Sequence, residues 1–254
     1  MINWVALQTI LRKEVVRVLR IWPQTLLPPA ITMSLYFVIF GHVIGSRIGL
    51  IEGYSYIQFI APGLVMMTVI LNSYANVSSS FFSAKFTHSI QELMVAPVSE
   101  WTILLGYTLG GVLRGVFVGL IVLIVASLFT HVPLQHFFSM VAILLISAWL
   151  FSLAGFLNAL FANSFDDISI IPNFILTPLT YLGGVFYSIQ ALPPAWRVVA
   201  HFNPILYLMN GFRYGMLGIA DVSPLIGLSI AIIASLFFAV LCYILLKRGW
   251  GLRQ

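Results

Sequence analysis

Long stretches without a charged residue constrain this chain more than any other feature of its sequence. A helix that crosses a bilayer core of about 30 Å needs roughly 20 consecutive apolar residues. The charged residues leave uncharged runs at Ile21 to Ser46, Gly53 to Ala84, Gly115 to Phe165, Ile168 to Trp196 and Val222 to Leu246. Charged residues make up 7% of the chain, whereas a soluble domain carries about 25%. We therefore predict an integral membrane protein.

The third uncharged run is long enough to cross the membrane twice, because a polar, proline-containing turn at residues 130–136 divides it. The whole chain, 1–254, is then predicted to form a single all-α transmembrane domain with six helices. Their predicted ranges are 24–46, 57–80, 101–129, 137–162, 166–188 and 222–246.

Basic residues near the span ends predict the orientation, since cytoplasmic loops retain Lys and Arg. With the amino terminus inside, the outer side holds Arg47, Arg197 and Arg213, and Arg114 lies within a helix. The inner side holds Arg12, Lys13, Arg17, Arg20, Lys85, Lys247, Arg248 and Arg253. Both termini are therefore predicted to be cytoplasmic.

Residues 1–22 form a different pattern, with apolar residues at three- and four-residue spacing and basic residues on the opposite helix face. The apolar face consists of Trp4, Leu7, Leu11, Val15, Val18 and Trp22, and the basic face of Arg12, Lys13, Arg17 and Arg20. Such a helix is predicted to lie in the membrane interface and to end before Pro23. A solvated helix packed on a soluble partner remains the alternative.

The segment 189–220 is apolar but is interrupted by Pro193-Pro194, Asn203-Pro204 and Gly211. Its part between Arg197 and Arg213 is too short to cross a membrane. We predict short helices that rest on the outer membrane face or dip into it. The aromatic residues suited to the membrane interface are Trp196, Tyr207 and Tyr214.

The chemistry of the chain excludes several function classes. The lysines, Lys13, Lys85 and Lys247, do not follow a glycine, so no phosphate-binding loop of the Gly-Lys-Ser/Thr type is present. The histidines show no metal-ligand spacing, and the basic residues form no patch for nucleic acid. All seven acidic residues are expected at helix ends or in loops. An ion-gradient-driven secondary transporter, which commonly holds acidic relays inside the membrane, is therefore the less favoured alternative.

Three further patterns lead to specific predictions. Residues 164–167, Ser-Phe-Asp-Asp, fit a capping box at a helix start. Gly111, Gly115 and Gly119 predict a close helix-packing face. Arg114, about 20 Å along its helix from Trp101, is predicted either to line a translocation path or to be satisfied locally, by snorkelling or by backbone carbonyls where the helix is broken.

The segment from Lys85 to Met94 is predicted to form a short cytoplasmic helix that Pro97 ends. Its predicted apolar side consists of Phe86, Ile90, Leu93 and Met94, and its polar side of Lys85, His88, Gln91 and Glu92. Docking of this helix into another protein, or packing of its apolar side under the chain's own helices, would both explain the pattern.

Three sequence blocks resemble type-2 ABC-transporter permeases, in particular the small bacterial inner-membrane exporter permeases of the drug and nodulation-factor exporter group. They are Ile90-Gln91-Glu92-Leu93-Met94-Val95-Ala96-Pro97 with Gly106 and Gly110-Gly111, the block Thr177 to Ser188, and Asn203-Pro204-Ile205 through Gly211-Phe212-Arg213-Tyr214. The resemblance covers essentially the whole chain.

The resemblance implies a permease subunit of an ATP-driven exporter in the bacterial inner membrane. It implies a homodimer of this chain that binds two copies of a separate ATP-binding subunit, in which ATP and Mg would be held. Segment 1–22 would be the interfacial elbow helix and 83–100 the cytoplasmic coupling region. Residues expected to contact the ATPase are Lys85, Phe86, His88, Ile90, Gln91, Glu92, Leu93 and Pro97.

Overall fold

The computed structural model describes residues 3–251, without the side chains of His42, Ser46 and Met94. Arg253 and the first two residues of the predicted segment 1–22 lie outside this range. Within it the chain is a helical bundle with one small hairpin. The α-helices are α1 Trp4–Arg20, α2 Trp22–Tyr36, α3 Gly45–Ile48, α4 Tyr56–Phe86, α5 Ser89–Val95, α6 Glu100–Phe129, α7 Phe137–Phe161, α8 Asp167–Ile171, α9 Thr177–Leu182, α10 Pro194–His201, α11 Pro204–Leu217 and α12 Pro224–Lys247.

Shorter elements join these helices. Two π-helical segments, Phe37–Ile44 and Pro172–Leu176, connect α2 to α3 and α8 to α9. A 3-10 turn, Ile189–Ala191, follows α9. The hairpin pairs β1 Leu50–Ile51 antiparallel with β2 Tyr54–Ser55. Its two connecting residues, Glu52 and Gly53, both have positive φ, as a tight hairpin turn requires. This hairpin was not predicted from the sequence.

Five helical segments in the described part of the chain are long and apolar enough to cross a membrane. They are Trp22–Gly41, Tyr56–Phe86, Glu100–Phe129, Phe137–Phe161 and Pro224–Lys247. At the remaining predicted crossing, 166–188, helical structure runs only from 167 to 182 and stops at Gly183. This stretch is about 24 Å long at 1.5 Å per residue, which is shorter than a bilayer core of about 30 Å. The all-α membrane fold is confirmed with five candidate crossings.

Helix α4 lies at the centre of the bundle and packs against both α6 and α7. A Cβ atom on Gly111 would come within 2.9 Å of the Ser73 carbonyl oxygen, and one on Gly119 within 2.5 Å of a Val69 methyl group. Close backbone approach favours helix association by van der Waals contact where apolar surroundings supply no hydrophobic drive. The predicted packing face of Gly111, Gly115 and Gly119 is therefore confirmed, and α4 is the helix that covers it.

Hydrogen bonds and close contacts hold helix ends together at each of the two ends of the bundle. At one end, which we call the α5 end, the Lys85 Nζ donates to the Leu160 carbonyl at the end of α7, and Gly251, just after α12, lies against the same carbonyl. At the other, which we call the hairpin end, the Tyr54 hydroxyl donates to the Leu217 carbonyl and accepts from Gln135. The 130–136 turn and the end of α11 therefore lie beside the hairpin.

The predicted short helices of segment 189–220 are present as α10 and α11. Trp196 of α10 and Phe202, which follows α10, are exposed, whereas α11 packs against α4, α7 and α12 and is mostly buried. Asn203 caps α11 by accepting from the Ile205 N–H and donates to the Leu179 carbonyl at 2.6 Å, which ties α11 to α9. Helix α11 is buried in the bundle, and the placement of the short helices at the outer membrane face stays a prediction.

Candidate functional site

Helix α5 lies at the α5 end of the bundle, and local chain geometry determines where it begins and ends. The Thr87 N–H bonds to the Ser83 carbonyl and ends α4, and His88 adopts a left-handed conformation with φ of 58°. That conformation is uncommon for a residue with a side chain. It turns the chain sharply into α5, which stops at Val95 before the extended Ala96 and then Pro97. A short helix is thus held between the ends of the two longest helices, α4 and α6.

The two sides of α5 differ in exposure. Ile90 is only 1% exposed and packs into the chain's own core beneath the α5 end, where half-buried Leu93 also packs. The exposed surface of α5 and its flanks consists of His88, Gln91, Glu92, Val95 and Pro97. This surface is bare on the isolated chain and is predominantly polar.

Three expected contact residues have positions that sequence reasoning does not predict. Phe86 belongs to α4, not to the apolar side of the short helix, and its exposed ring packs edge-to-face on Phe165. Lys85 is 7% exposed and donates to the carbonyl oxygens of Leu160 at 3.1 Å and Ala162 at 2.7 Å. These two acceptors are end carbonyls of α7, which otherwise lack a helical partner. Because Lys85 and Ile90 are buried in their own chain, neither offers a surface to a partner.

A second polar group lies where α1 meets α4 and α6. Glu14 is fully buried and accepts hydrogen bonds from Arg17 at 2.8 Å, from the Asn76 amide at 3.2 Å and from the Ser80 hydroxyl. Arg17 also donates to the Asn76 side-chain oxygen at 2.7 Å. We call these four residues the Glu14 cluster. The expectation that every acidic residue lies at a helix end or in a loop is wrong for Glu14.

Two glycines of α6 let α1 approach closely enough to bury the Glu14 cluster. A Cβ atom on Gly106 would lie 2.6 Å from an Ile10 methyl group, and one on Gly110 would lie 2.7 Å from Glu14 Cβ. The Asn3 N–H further bonds to the Thr102 hydroxyl, so α1 runs beside α6 from its first turn. The spacing of Gly106 and Gly110, four residues apart, is the sequence signal for this contact.

The predicted apolar face of α1 is divided by this packing. Leu7 and Val18 are buried against the bundle, whereas Trp4 is 68% and Trp22 51% exposed. One edge of the face therefore packs on the chain itself, and the other edge is left uncovered, as an interfacial helix requires.

Arg114 is next to the Glu14 cluster. Its two Nη atoms donate to the side-chain oxygens of Asn76 at 3.5 Å and Asn72 at 3.4 Å. These long distances mark weak hydrogen bonds. Both partners are side chains of α4 in the same chain, and the role of Arg114 in a translocation path stays a prediction.

The length of α6 changes the depth expected for Arg114. Its 30 residues span about 45 Å, which exceeds a bilayer core of about 30 Å. Measured from Phe129, beside the polar turn, Arg114 lies about 22 Å along the helix. A core of about 30 Å that begins at Phe129 would therefore end about 8 Å beyond Arg114, toward the α5 end.

A groove runs along the face of α4 opposite α6 and was not predicted. It is a cavity of about 330 Å³ between α4 and the helical stretch 167–182, and most of its lining surface is apolar. The polar residues in its lining are Ser78, Ser79, Ser169, Asn173 and Thr177. The adjacent serines Ser78 and Ser79 are the sequence signal for it.

Two polar contacts organise the ends of the 167–182 stretch. At its start, Asp167 accepts from the Asn163 and Ser164 N–H groups while its own N–H bonds to the Ser164 hydroxyl, so the predicted capping box is confirmed. At its other end, Arg213 is 2% exposed and donates to the Gly184 carbonyl, with its guanidinium 4.1 Å from the centre of the Phe59 ring. Arg213 therefore holds the break after α9 inside the bundle and is not a surface residue.

A bundle of long apolar helices with an exposed short helix between two of them is typical of a multi-pass membrane protein. The family model described as "ABC-2 type transporter" matches residues 5–217, and the chain belongs to this family. It is 56% identical over 253 residues to the inner membrane transport permease YadH of Escherichia coli (strain K12), which covers 99% of this chain and 98% of that protein. The predicted family, and the prediction of a multi-pass inner membrane protein, are confirmed.

More distant relatives include two nodulation proteins. Nodulation protein J of Neorhizobium galegae is 22% identical over 219 residues, which is 86% of this chain and 82% of that protein. Nodulation protein J of Rhizobium leguminosarum bv. viciae is 21% identical over 196 residues, 76% of each chain. The predicted likeness to the nodulation-factor exporter group agrees with these matches.

Proposed function

We propose that this chain is the membrane-spanning subunit of an ATP-driven exporter, and that a separate ATP-binding subunit energises it. Membership of the ABC-2 family supports the proposal, because permeases of ABC transporters work with ATP-binding partners. The structural observation that carries it is α5, a short helix with a bare polar surface at one end of the bundle. ATP and Mg would be bound by the partner.

The proposed assembly contains two copies of this chain and two ATP-binding subunits. The groove between α4 and the 167–182 stretch supports a paired arrangement, because it contains several polar side chains in an otherwise apolar surface, and polar groups are costly to leave against lipid. A second permease placed over this groove would enclose a polar route, along which a substrate could leave the cytoplasm. Arg114 remains a proposed residue of the route, because its partner Asn72 lies on the same helix face of α4 as the groove residue Ser79.

Six crossings with both termini in the cytoplasm are part of this proposal. The ends of α4, α7 and α12 lie together at the α5 end, so α12 must begin at the hairpin end. The chain between α7 and α12 therefore has to pass from one end of the bundle to the other, and the 167–182 stretch with the turn held by Arg213 provides that passage. The eight basic residues counted for the inner side support a cytoplasmic α5 end.

The proposed domain organisation follows the same arrangement. Segment 1–22 is the interfacial elbow, 83–100 the coupling region and 189–220 the external short helices. In the coupling region, His88, Gln91, Glu92 and Pro97 would contact the ATPase, with Phe86 and Leu93 at the edge of the contact. Because α5 joins α4 to α6 through only a few residues, movement of a docked ATPase would be transmitted directly to both helices.

Paired substitutions at the two ends of the bundle test the coupling contact. Glu92→Lys changes an exposed residue of α5, and Glu52→Lys makes the same change in the exposed hairpin turn. Each variant would be affinity-purified from native membranes in mild detergent, and the co-purified ATP-binding subunit measured by mass spectrometry with ATP hydrolysis by the eluate. We expect Glu92→Lys to lose the co-purified ATP-binding subunit and the ATP hydrolysis, and Glu52→Lys to retain the two. Equal recovery and equal hydrolysis with the two variants would contradict the contact at α5.

Glu14 is the observation that favours the second candidate, an ion-gradient-driven transporter, because a buried carboxylate can act as a relay. Its pairing with Arg17 and its three hydrogen bonds favour a structural role instead. Membrane vesicles distinguish the two candidates, since an ATP-driven permease keeps its function when the proton and sodium gradients are collapsed and loses it when ATP is withheld.

A further inference from the structure

A groove between α1 and α6 is a second feature of the α5 side of the bundle. It is a cavity of about 260 Å³ whose apolar lining consists of Val15, Val18, Leu19, Leu113 and Phe117. Gly110 forms part of its floor, and Arg114 is the charged residue among its lining residues. An elongated apolar surface with one cation at its edge matches the shape of a lipid chain joined to an anionic headgroup.

Charges around this groove are unbalanced. The carboxylate of Glu14 pairs with Arg17, and Arg114 donates to Asn76 of the same cluster, so two guanidinium groups share one carboxylate. In the described part of the chain, the buried Nε atoms of both arginines also lack an acceptor. Charged groups removed from water are costly unless they are paired. An anion beside Arg114 would balance this cluster.

The position of the groove matches the cytoplasmic leaflet. Counted from Phe129, Arg114 lies about 8 Å short of the far boundary of a core of about 30 Å, on the side that the proposed function assigns to the cytoplasm. On the side of α1 away from the bundle, Arg12, Lys13 and Arg20 are exposed. A basic helix at this level attracts anionic lipid headgroups.

We infer that the groove between α1 and α6 binds one anionic phospholipid of the cytoplasmic leaflet. The headgroup phosphate accepts hydrogen bonds from the Arg114 guanidinium, and one acyl chain lies along Val18, Leu113 and Phe117. The bound lipid supplies the missing counter-charge and covers the exposed edge of α1. This site rests on the proposed function only for its leaflet, because the cytoplasmic side of the α5 end is part of that proposal; it requires neither a partner subunit nor ATP.

Lipid titration followed by native mass spectrometry tests this inference on the full chain in detergent. The probes are phosphatidylglycerol and phosphatidylcholine with identical acyl chains, so that only the headgroup charge differs. Wild-type protein is expected to retain one phosphatidylglycerol per chain. Arg114→Gln is expected to weaken retention roughly tenfold, because a charge-assisted hydrogen bond to phosphate is lost.

Two further variants make the result decisive. Val15→Trp fills the groove without touching the Glu14 cluster and is expected to lose the lipid as Arg114→Gln does. Arg12→Gln removes an exposed cation from the same helix and is expected to leave retention within about twofold of wild type, as an exposed charge does. If Arg114→Gln does not fold, lipid retention by Val15→Trp decides whether the groove binds the lipid. Wild-type retention by Val15→Trp, or equal retention of phosphatidylcholine by the wild type, would overturn the inference.

Discussion

Replacing Glu14 with alanine is the strongest perturbation that the structure offers for the contact between α1 and the bundle. The substitution removes one buried acceptor that serves Arg17, Asn76 and Ser80. Breaking a buried ion pair by removing one partner costs about 3 to 5 kcal/mol. Because the Arg17 side chain is 28% exposed, water offsets part of this loss. We expect a reduction of about 3 kcal/mol in the free energy of unfolding.

The matched control is Lys13→Ala, next to Glu14 on the same helix but exposed. It should change the free energy of unfolding by less than about 0.5 kcal/mol. Unfolding in detergent would be followed by tryptophan fluorescence, with hydrogen exchange of the α1 amides as a local readout. Glu14→Ala should accelerate exchange in α1 before the rest of the bundle unfolds.

A double-mutant cycle with Arg17→Ala isolates the ion pair. The double variant should be less destabilised than the sum of the single variants, because removing Arg17 also removes the charge that Glu14→Ala leaves unpaired. If Glu14→Ala has the stability of Lys13→Ala and the same exchange in α1, the Glu14 cluster does not hold α1 to the bundle.

The remaining predictions concern the packing and the ends of the helices. Gly111→Leu should prevent accumulation of folded protein, whereas Gly53→Leu in the hairpin turn should only reduce it; blue-native electrophoresis would compare them. Lys85→Met should lower the free energy of unfolding by about 1 to 3 kcal/mol, because the end carbonyls of α7 lose their donor, as detergent unfolding would measure. Arg213→Met should loosen the break after α9, and limited proteolysis at residues 183–190 should become faster than in wild-type protein.

The sequence predicts much of the fold because membrane crossings depend on local composition. Long uncharged runs locate the five candidate crossings, Gly111 and its neighbours indicate the packing face, and the residues at 164–167 indicate the cap. The 167–182 stretch is less predictable. Its length depends on where Gly183 and Gly184 allow the chain to turn, and on Arg213, which reaches that turn from a distant part of the sequence.

The candidate sites were harder to predict because they depend on contacts between distant segments. Glu14 looks like a surface residue in the pattern of α1, and only the register of α1 against Gly106 and Gly110 shows that it faces inward. Lys85 looks available to a partner, but its long apolar stem allows the ammonium group to reach the end of α7. Helical periodicity identifies faces, but it does not identify what each face meets.

The most direct test of the proposed function is cross-linking from α5 to the ATP-binding subunit in membrane vesicles. Gln91→Cys places a thiol on the exposed surface of α5, and Leu134→Cys places one in the exposed turn at the hairpin end. The native Cys242 is fully buried, so its background reactivity should be low. In inside-out vesicles, Gln91→Cys should cross-link to the ATP-binding subunit, and Leu134→Cys should not. Cross-linking from Leu134→Cys alone, or from neither position, would contradict a cytoplasmic α5 docked on an ATPase.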